Sequence, residues 1–345
     1  MKLNSKTLLV AAGLAALAWS PAHALEPGAL PQTKAGLFIG SSAGVPPPGI
    51  YMFNQEFTYQ SNVRGPITNA IGSNTGFHAA VDVQGFLFVP GWTFLGATYD
   101  AVLVQPFVME SIGAPLNVQL SGAHNTYVVP IELSWNLGNS GFAVKAGLGI
   151  YTPDGTQTGL PGRTGNAGDP YWTFQPEVII SYLKDGWNLS AAIYEELNTR
   201  NSVSQYQGGS ILHADFTATK TIGKWTVGPV AYYYGQISND SCSSAVCLAA
   251  YPLTATSLPG TAAFTAASRS NVWAVGGLVG YNFGPASLSV WATQEVSAKA
   301  SNPAAAALVP GGDTALTAQG FTVLATLSYR LWGPEAPAKA PMFHK

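Results

Sequence analysis

The sequence predicts an all-β chain that closes into a transmembrane, antiparallel, up-and-down β-barrel of twelve strands, with short periplasmic turns and long extracellular loops. Three observations predict it. Only 9% of residues are Asp, Glu, Lys or Arg while 47% are hydrophobic, and soluble proteins average roughly 25% charged. Beyond the N-terminus there is no run of about 18 apolar residues to make a helical span; the longest candidate, Val272–Phe283, is interrupted by Gly276, Gly277, Gly280 and Asn282. Apolar and polar residues instead alternate with period two, in segments joined alternately by tight turns and long polar loops. The same composition excludes other classes. So apolar a chain is not disordered, and 15 Lys+Arg against 17 Asp+Glu give no positive field for nucleic acid.

The elements follow in order. Lys2 and Lys6 precede the apolar run Leu8–Trp19, Pro21 breaks it, and Ala22-His23-Ala24 fits a small-x-small cleavage site, so residues 1–24 read as a secretory signal peptide. Residues 25–49 are rich in Pro and Gly and either fold into the lumen as a plug or lie in the periplasm. Alternation then marks strands at Ile50–Ser61, Phe77–Val89, Phe94–Val104, Asn125–Leu137, Phe142–Tyr151 and Tyr171–Leu183. Six more lie at Trp187–Arg200, Ile211–Lys220, Trp225–Ile237, Asn271–Phe283, Ala286–Val296 and Gly320–Trp332. These suit tilted spans, which need about 9–11 residues. In the fourth strand, Tyr127, Val129, Ile131, Leu133 and Trp135 fall on one face and Glu132 and Ser134 on the other.

The tight connections are Pro90-Gly91, Gly138–Gly141, Lys184–Gly186, Ile222–Lys224 and Gly284-Pro285. The long ones include Asn62–Gly76, Gln105–His124, Thr152–Pro170, Ser238–Ser270 and Ser297–Gln319. A soluble sandwich has no reason to gather its long loops at one end; an outer-membrane barrel does. Trp92, Trp135, Trp187, Trp225 and Trp332 sit near the tight turns, as a periplasmic aromatic belt would. Pro130, Pro176 and Pro229 lie inside strands of a sheet with no free edge, which calls for bulges. Residues 333–345 form a Pro- and Ala-rich tail.

Several stretches carry a family resemblance. They are the Pro-Pro-Pro-Gly-Ile-Tyr sequence ending at Tyr51, Tyr151-Thr152-Pro153-Asp154-Gly155, Trp225–Gln236, Gly280-Tyr281-Asn282-Phe283 and the final aromatic strand. With these the chain resembles the outer-membrane barrel family named after the meta-pathway of phenol degradation. The resemblance implies a transporter-like barrel associated with aromatic degradation and brings no catalytic residue. The tail is a departure, since such barrels usually end at the last aromatic residue.

With the apolar parity turned to lipid, the lumen parity carries Glu56, His78, Asp82, Asp100, Glu132, Lys145, Glu177, Glu196, His213, Asp215, Glu295 and Arg330. Two readings stand side by side: a net-acidic passage that disfavours anions, or a plug of ion pairs that stabilises a narrow barrel. Phe86, Tyr151, Tyr194, Tyr232, Tyr234 and Trp291 share that parity, either as stacking stations for aromatic solutes or as volume fillers. Cys242 and Cys247, five apart in the longest loop, suit one disulfide in an exported protein and too few ligands for a metal. Asp154 and Asp169 could meet a cation but read first as turn residues.

There is no nucleophile elbow, H-E-x-x-H, phosphate loop or EF-hand, and no cofactor motif. The expectation is a passive channel, not an enzyme, in a Gram-negative outer membrane, whose partners are membrane lipid, small hydrophobic or aromatic solutes and the barrel-assembly machinery. A lipid-modifying enzyme would need a Ser–His pair on the outer wall, and His78 and His213 both read as inward. A surface-binding barrel using Ser238–Ser270 is the third alternative.

Overall fold

A computed structural model of the chain describes residues 31–65, 76–114, 117–157, 166–250, 269–302, 315 and 317–334. The predicted signal peptide and residues 335–345 of the tail lie outside the described residues, as does most of the loop after Ser238.

Twelve antiparallel strands form the wall: β1 (Gly49–Arg64), β2 (Gly76–Val89), β3 (Ala97–Ile112), β4 (Tyr127–Asn136), β5 (Phe142–Tyr151) and β6 (Thr173–Tyr182), then β7 (Trp187–Asn198), β8 (Ile211–Ile222), β9 (Trp225–Gln236), β10 (Arg269–Asn282), β11 (Ala286–Ser301) and β12 (Thr317–Trp332). Each pairs with its neighbour in sequence, and β1 pairs with β12, with Gln55 opposite Thr326, which closes the sheet and removes its edges. Short strands at Thr93–Phe94 and Val118–Ala123 both pair with β3. The segment Gln105–His124, read from sequence as a loop, is therefore largely strand. Val104, Val108 and Glu110 continue the inward alternation past Pro106, where the sequence reading stopped.

Turn chemistry matches the hairpins. Between β6 and β7, Asp185 and Gly186 both have positive φ, 53° and 75°, as a type I′ turn requires. Pro130, Pro176 and Pro229 sit where the ladder lapses on at least one side. Register shifts between Val128 and Ile131, around Pro130, and the ladder skips Pro176 toward β7 and Pro229 toward β8.

The bulge at Pro130 has a further effect. Tyr127 and Val129 before it point inward with Glu132 and Ser134 after it, while Ile131 and Leu133 face out. One inserted residue swaps parity, so the five apolar positions of this strand do not share a face. Trp92, Trp187, Trp225 and Trp332 are exposed at the turn end, but Trp135 is buried beneath the Thr93–Phe94 hairpin, its indole N–H donating to the Leu95 carbonyl at 3.1 Å.

Residues 31–48 run inside the barrel. Ala35 and Ile39 are buried in one cluster with Phe57, Val83, Tyr232, Leu278 and Trp291 from the wall.

Candidate functional site

The N-terminal segment has no strand to pair with; Leu37, Ile39 and Ser41 donate to carbonyls within its own turns, and many of its other backbone donors are met by wall side chains. Glu196 accepts from the amides of Gln32 and Thr33 at 2.9 and 2.8 Å. Asp215 accepts from Gly36 at 3.0 Å and Phe38 at 3.0 Å. Gly40 and Ala43 donate to Thr217 and Ser181, both at 2.8 Å, and the Gln32 side chain donates to Asp169 at 2.6 Å. The Lys34 ammonium lies over the rings of Tyr59 and Tyr232, 4.7 and 4.5 Å from their centroids, and 3.9 Å from Glu295. Six anchors over a dozen residues fix this segment against β6–β9 and β11.

The predicted acids that do face inward are engaged. Asp100 and Glu132 flank the Lys145 ammonium at 3.2 and 3.1 Å. Glu177 accepts from Tyr127 at 3.3 Å, and Glu295 from Tyr59, Tyr232 and the Gly320 amide at 2.8, 2.7 and 2.6 Å. His213 is fully buried, stacked on Tyr194 and 3.2 Å from Glu196. Tyr151, Tyr194, Tyr232, Tyr234 and Trp291 are also buried inside. Tyr194 meets Phe38 at a centroid distance of 4.8 Å. These rings fill the space between the segment and the wall.

Five predicted lumen positions lie elsewhere. Glu56, His78, Asp82 and Phe86 are on the outer face, because on β1 and β2 it is Phe57, Tyr59, Val81 and Val83 that turn inward. Parity was assigned by sending the apolar set to lipid, and these two strands reverse it. Arg330 keeps the inward parity but is exposed at the periplasmic rim, where it donates to the Pro48 carbonyl and covers the Tyr51 ring.

That reversal shapes the interior. The inner faces of β1 and β2 and the extracellular halves of β3 and β4 are mainly apolar, and between them and the N-terminal segment lies a cavity of about 470 Å³. Its lining follows β2 from Phe77 near the extracellular end through Val81 and Val83 to Leu87 near the periplasmic turn. Ten residues of tilted strand rise about 25 Å, roughly the height of a barrel's apolar band. Phe53, Phe57, Val104, Val108 and Val129 complete the wall, with Lys34, Glu110, His124, Glu177, Glu295 and the Glu132–Lys145 pair as polar groups along it. At Gly85 the Phe53 ring lies so close that a Cβ would come within 2.1 Å of it, so only glycine lets the ring fold flat on the wall.

Sequence reasoning missed these apolar residues and the whole set of segment anchors. Periodicity carries no mark of which face is inside, and a coil read by composition shows no partner.

At the extracellular end, Asp154 accepts from the Thr126 amide and hydroxyl at 2.9 and 2.7 Å and from Thr152 at 2.7 Å. Burial pushes its pKa up, but these hydrogen bonds outweigh that and hold it below the usual Asp value. Asp169 instead serves Gln32, and no cluster of metal-binding side chains occurs among the described residues. Cys242 and Cys247 form a disulfide packed beside Tyr206.

The fold has solved counterparts. An outer membrane channel from Pseudomonas putida F1 matches with a TM-score of 0.65 at 10% identity, covering 84% of this chain and 98% of that one. The β domain of the Bordetella autotransporter BrkA gives a TM-score of 0.43 at 12% identity, over 81% of this chain and 99% of its own. No match was found among curated proteins. The family model described as putative MetA-pathway of phenol degradation matches residues 62–309, from the end of β1 past the end of β11, and the chain belongs to that family.

Proposed function

We propose that the protein is an outer-membrane channel for passive entry of small apolar solutes, monoaromatic compounds among them. The observation that carries this reading is the largely apolar cavity along β1–β4, which lies beside the N-terminal segment inside the barrel. A lumen built for ions would leave its carboxylates free along the path, whereas here Glu132, Glu177 and Glu295, which border it, are engaged by Lys145, tyrosines and a backbone amide, and Glu196 and Asp215 hold the N-terminal segment. Covering ~100 Å² of apolar solute surface is worth about 2.5 kcal/mol. That favours entry and still permits exit, the balance conduction requires. The family's connection with phenol degradation agrees with this chemistry. Export by the leader, insertion by the barrel-assembly machinery and contact with membrane lipid belong to the same reading.

The test is uptake of radiolabelled toluene and of arabinose by outer-membrane vesicles with and without the protein. Toluene uptake rises with the protein and arabinose uptake far less. Val83→Trp fills the passage and lowers toluene uptake several-fold, while heat-modifiable gel migration reports an intact barrel. Equal toluene uptake by both vesicle preparations overturns the proposal.

A further inference from the structure

The reversed parity of β1 and β2 leaves a polar column on the outer wall. Outward on β1 are Asn54, Glu56 and Thr58, and outward on β2 are Asp82 and Gln84, with Gln105 beside them on β3. Cross-strand register gives their depth. Asn54 pairs with Leu327, Glu56 with Ala325 and Thr58 with Val323, and the rows below and above pair Met52 with Tyr329 and Gln60 with Phe321. Three polar residues of β1 thus lie level with the apolar column of β12, between outward aromatic rows. On the other flank Phe107 and Met109 are exposed. Hydrocarbon satisfies none of these polar groups, and carboxylates at that depth are costly.

Within the chain the column is only partly satisfied. Asp82 accepts from Asn54 at 2.7 Å and from Gln84 at 3.1 Å. Glu56 lies directly opposite Asp82 in the ladder and, among the described residues, makes no hydrogen bond or ion pair.

We infer that the outer face of β1 and β2 is an interface at which two copies of this barrel associate in the membrane. Three features select a second copy. Two barrels inserted the same way up meet row to row about an axis along the membrane normal, so the polar layer of one arrives at the depth of the other's. Asn54 and Gln84 carry primary amides, each both donor and acceptor, so the layer is complementary to itself and supplies donors for Glu56, while the Gln105 amide is already engaged by Pro106, His124 and Thr126. The area also suffices. With the flanking strands β12 and β3 the contact face is four strands wide and ~25 Å tall, on the order of 500 Å² in flat projection, more as accessible surface, against ~800 Å² per partner in a specific interface.

The experiment is thiol cross-linking in intact outer membranes. The native cysteines are closed in their disulfide, so Thr58→Cys supplies the reactive thiol and Val275→Cys, exposed on β10 three strands away, is the control. Oxidation is expected to give a product of twice the monomer mass from Thr58→Cys and little from Val275→Cys. In detergent, the mass by light scattering is that of a dimer. The variant Asn54→Leu/Glu56→Leu/Gln84→Leu, which suits lipid better, dissociates at least ten-fold more readily with its heat-modifiable migration intact. A Thr58→Cys barrel that stays monomeric in membranes, or links to a protein of different mass, overturns the inference. So does a triple variant as dimeric as the native chain.

Discussion

Asp215→Ala should loosen the N-terminal segment without unfolding the barrel. The Asp215 carboxylate accepts from the Gly36 and Phe38 amides, both at 3.0 Å, and from the Tyr194 hydroxyl at 3.3 Å. Truncation leaves two backbone donors and a hydroxyl without their acceptor in a buried site. Hydrogen bonds to a charged group are worth about 1.5–3 kcal/mol each, and stranded donors cost about 1–3 kcal/mol. Allowing for water entering the gap, a net loss of about 2–5 kcal/mol follows, enough to raise the detached population by about 30- to several thousand-fold. The assay is single-channel recording in planar bilayers. The native barrel should show a low, steady conductance, and Asp215→Ala should flicker to a larger one. Deleting residues 31–44 should hold that larger level continuously, several-fold above the native one. Asp215→Asn keeps one acceptor oxygen and should fall between. If the deletion leaves both conductance and solute size limit unchanged, the segment does not divide the lumen, and the reasoning from its anchors fails.

Lys145→Met leaves Asp100 and Glu132 facing each other in a buried site, at about 3–5 kcal/mol; urea unfolding in detergent should show that loss, and adding Asp100→Asn should recover much of it. The Asp154 hydrogen bonds should hold the extracellular loop at neutral pH. Because its folded pKa is depressed, their contribution is complete above the ordinary Asp range and is lost as pH falls through the lowered value. Proteolysis of the loop should therefore be slow and flat with pH from neutrality down to that range, and Asp154→Ala should abolish the protection. Cys242→Ser with Cys247→Ser should speed cleavage near Tyr206 and leave the barrel's unfolding midpoint within a degree or two. His78 does lie on the outer wall, opposite Ser111 in the ladder, but among the described residues no hydrogen bond joins them. Purified barrel should show no phospholipid hydrolysis, and an activity removed by His78→Ala would restore the enzyme alternative.

Strand count, turn positions and closure were legible because each follows from local chemistry. Alternation marks the strands, Gly and Asp mark the hairpins, and an even set of spanning strands with long loops at one end has few other solutions. Tyr127 shows where legibility ended. Its parity as read from Glu132 depends on whether Pro130 sits in a bulge, and a bulge is visible only as a proline that must be tolerated somehow. The N-terminal segment is harder still. Gln32, Thr33, Gly36 and Phe38 use their backbone amides, and every residue but proline has one. The carboxylates that receive them looked like lumen charge, since an acid facing water and an acid facing an amide have the same spelling.

The outward Glu56 and Asp82 and the inward Phe57 and Val83 are one fact seen from two sides. In a barrel with a wet lumen, lipid takes the apolar parity and the rule that reads sequence into orientation is safe. Where the path must admit apolar solutes, its wall needs the apolar parity, and the alternate residues are left to face the membrane. They can be apolar too, as on β3, where Leu103, Phe107 and Met109 are outward while Val104 and Val108 line the passage. Strands of that kind lose visible alternation. On β1 and β2 alternation is strong and inverted, which no demand of the passage explains, since outward leucines would have served the lumen equally well. A polar outer column costs stability in lipid, and the only thing it supplies that leucines do not is a surface able to hydrogen-bond another polar surface at the same depth.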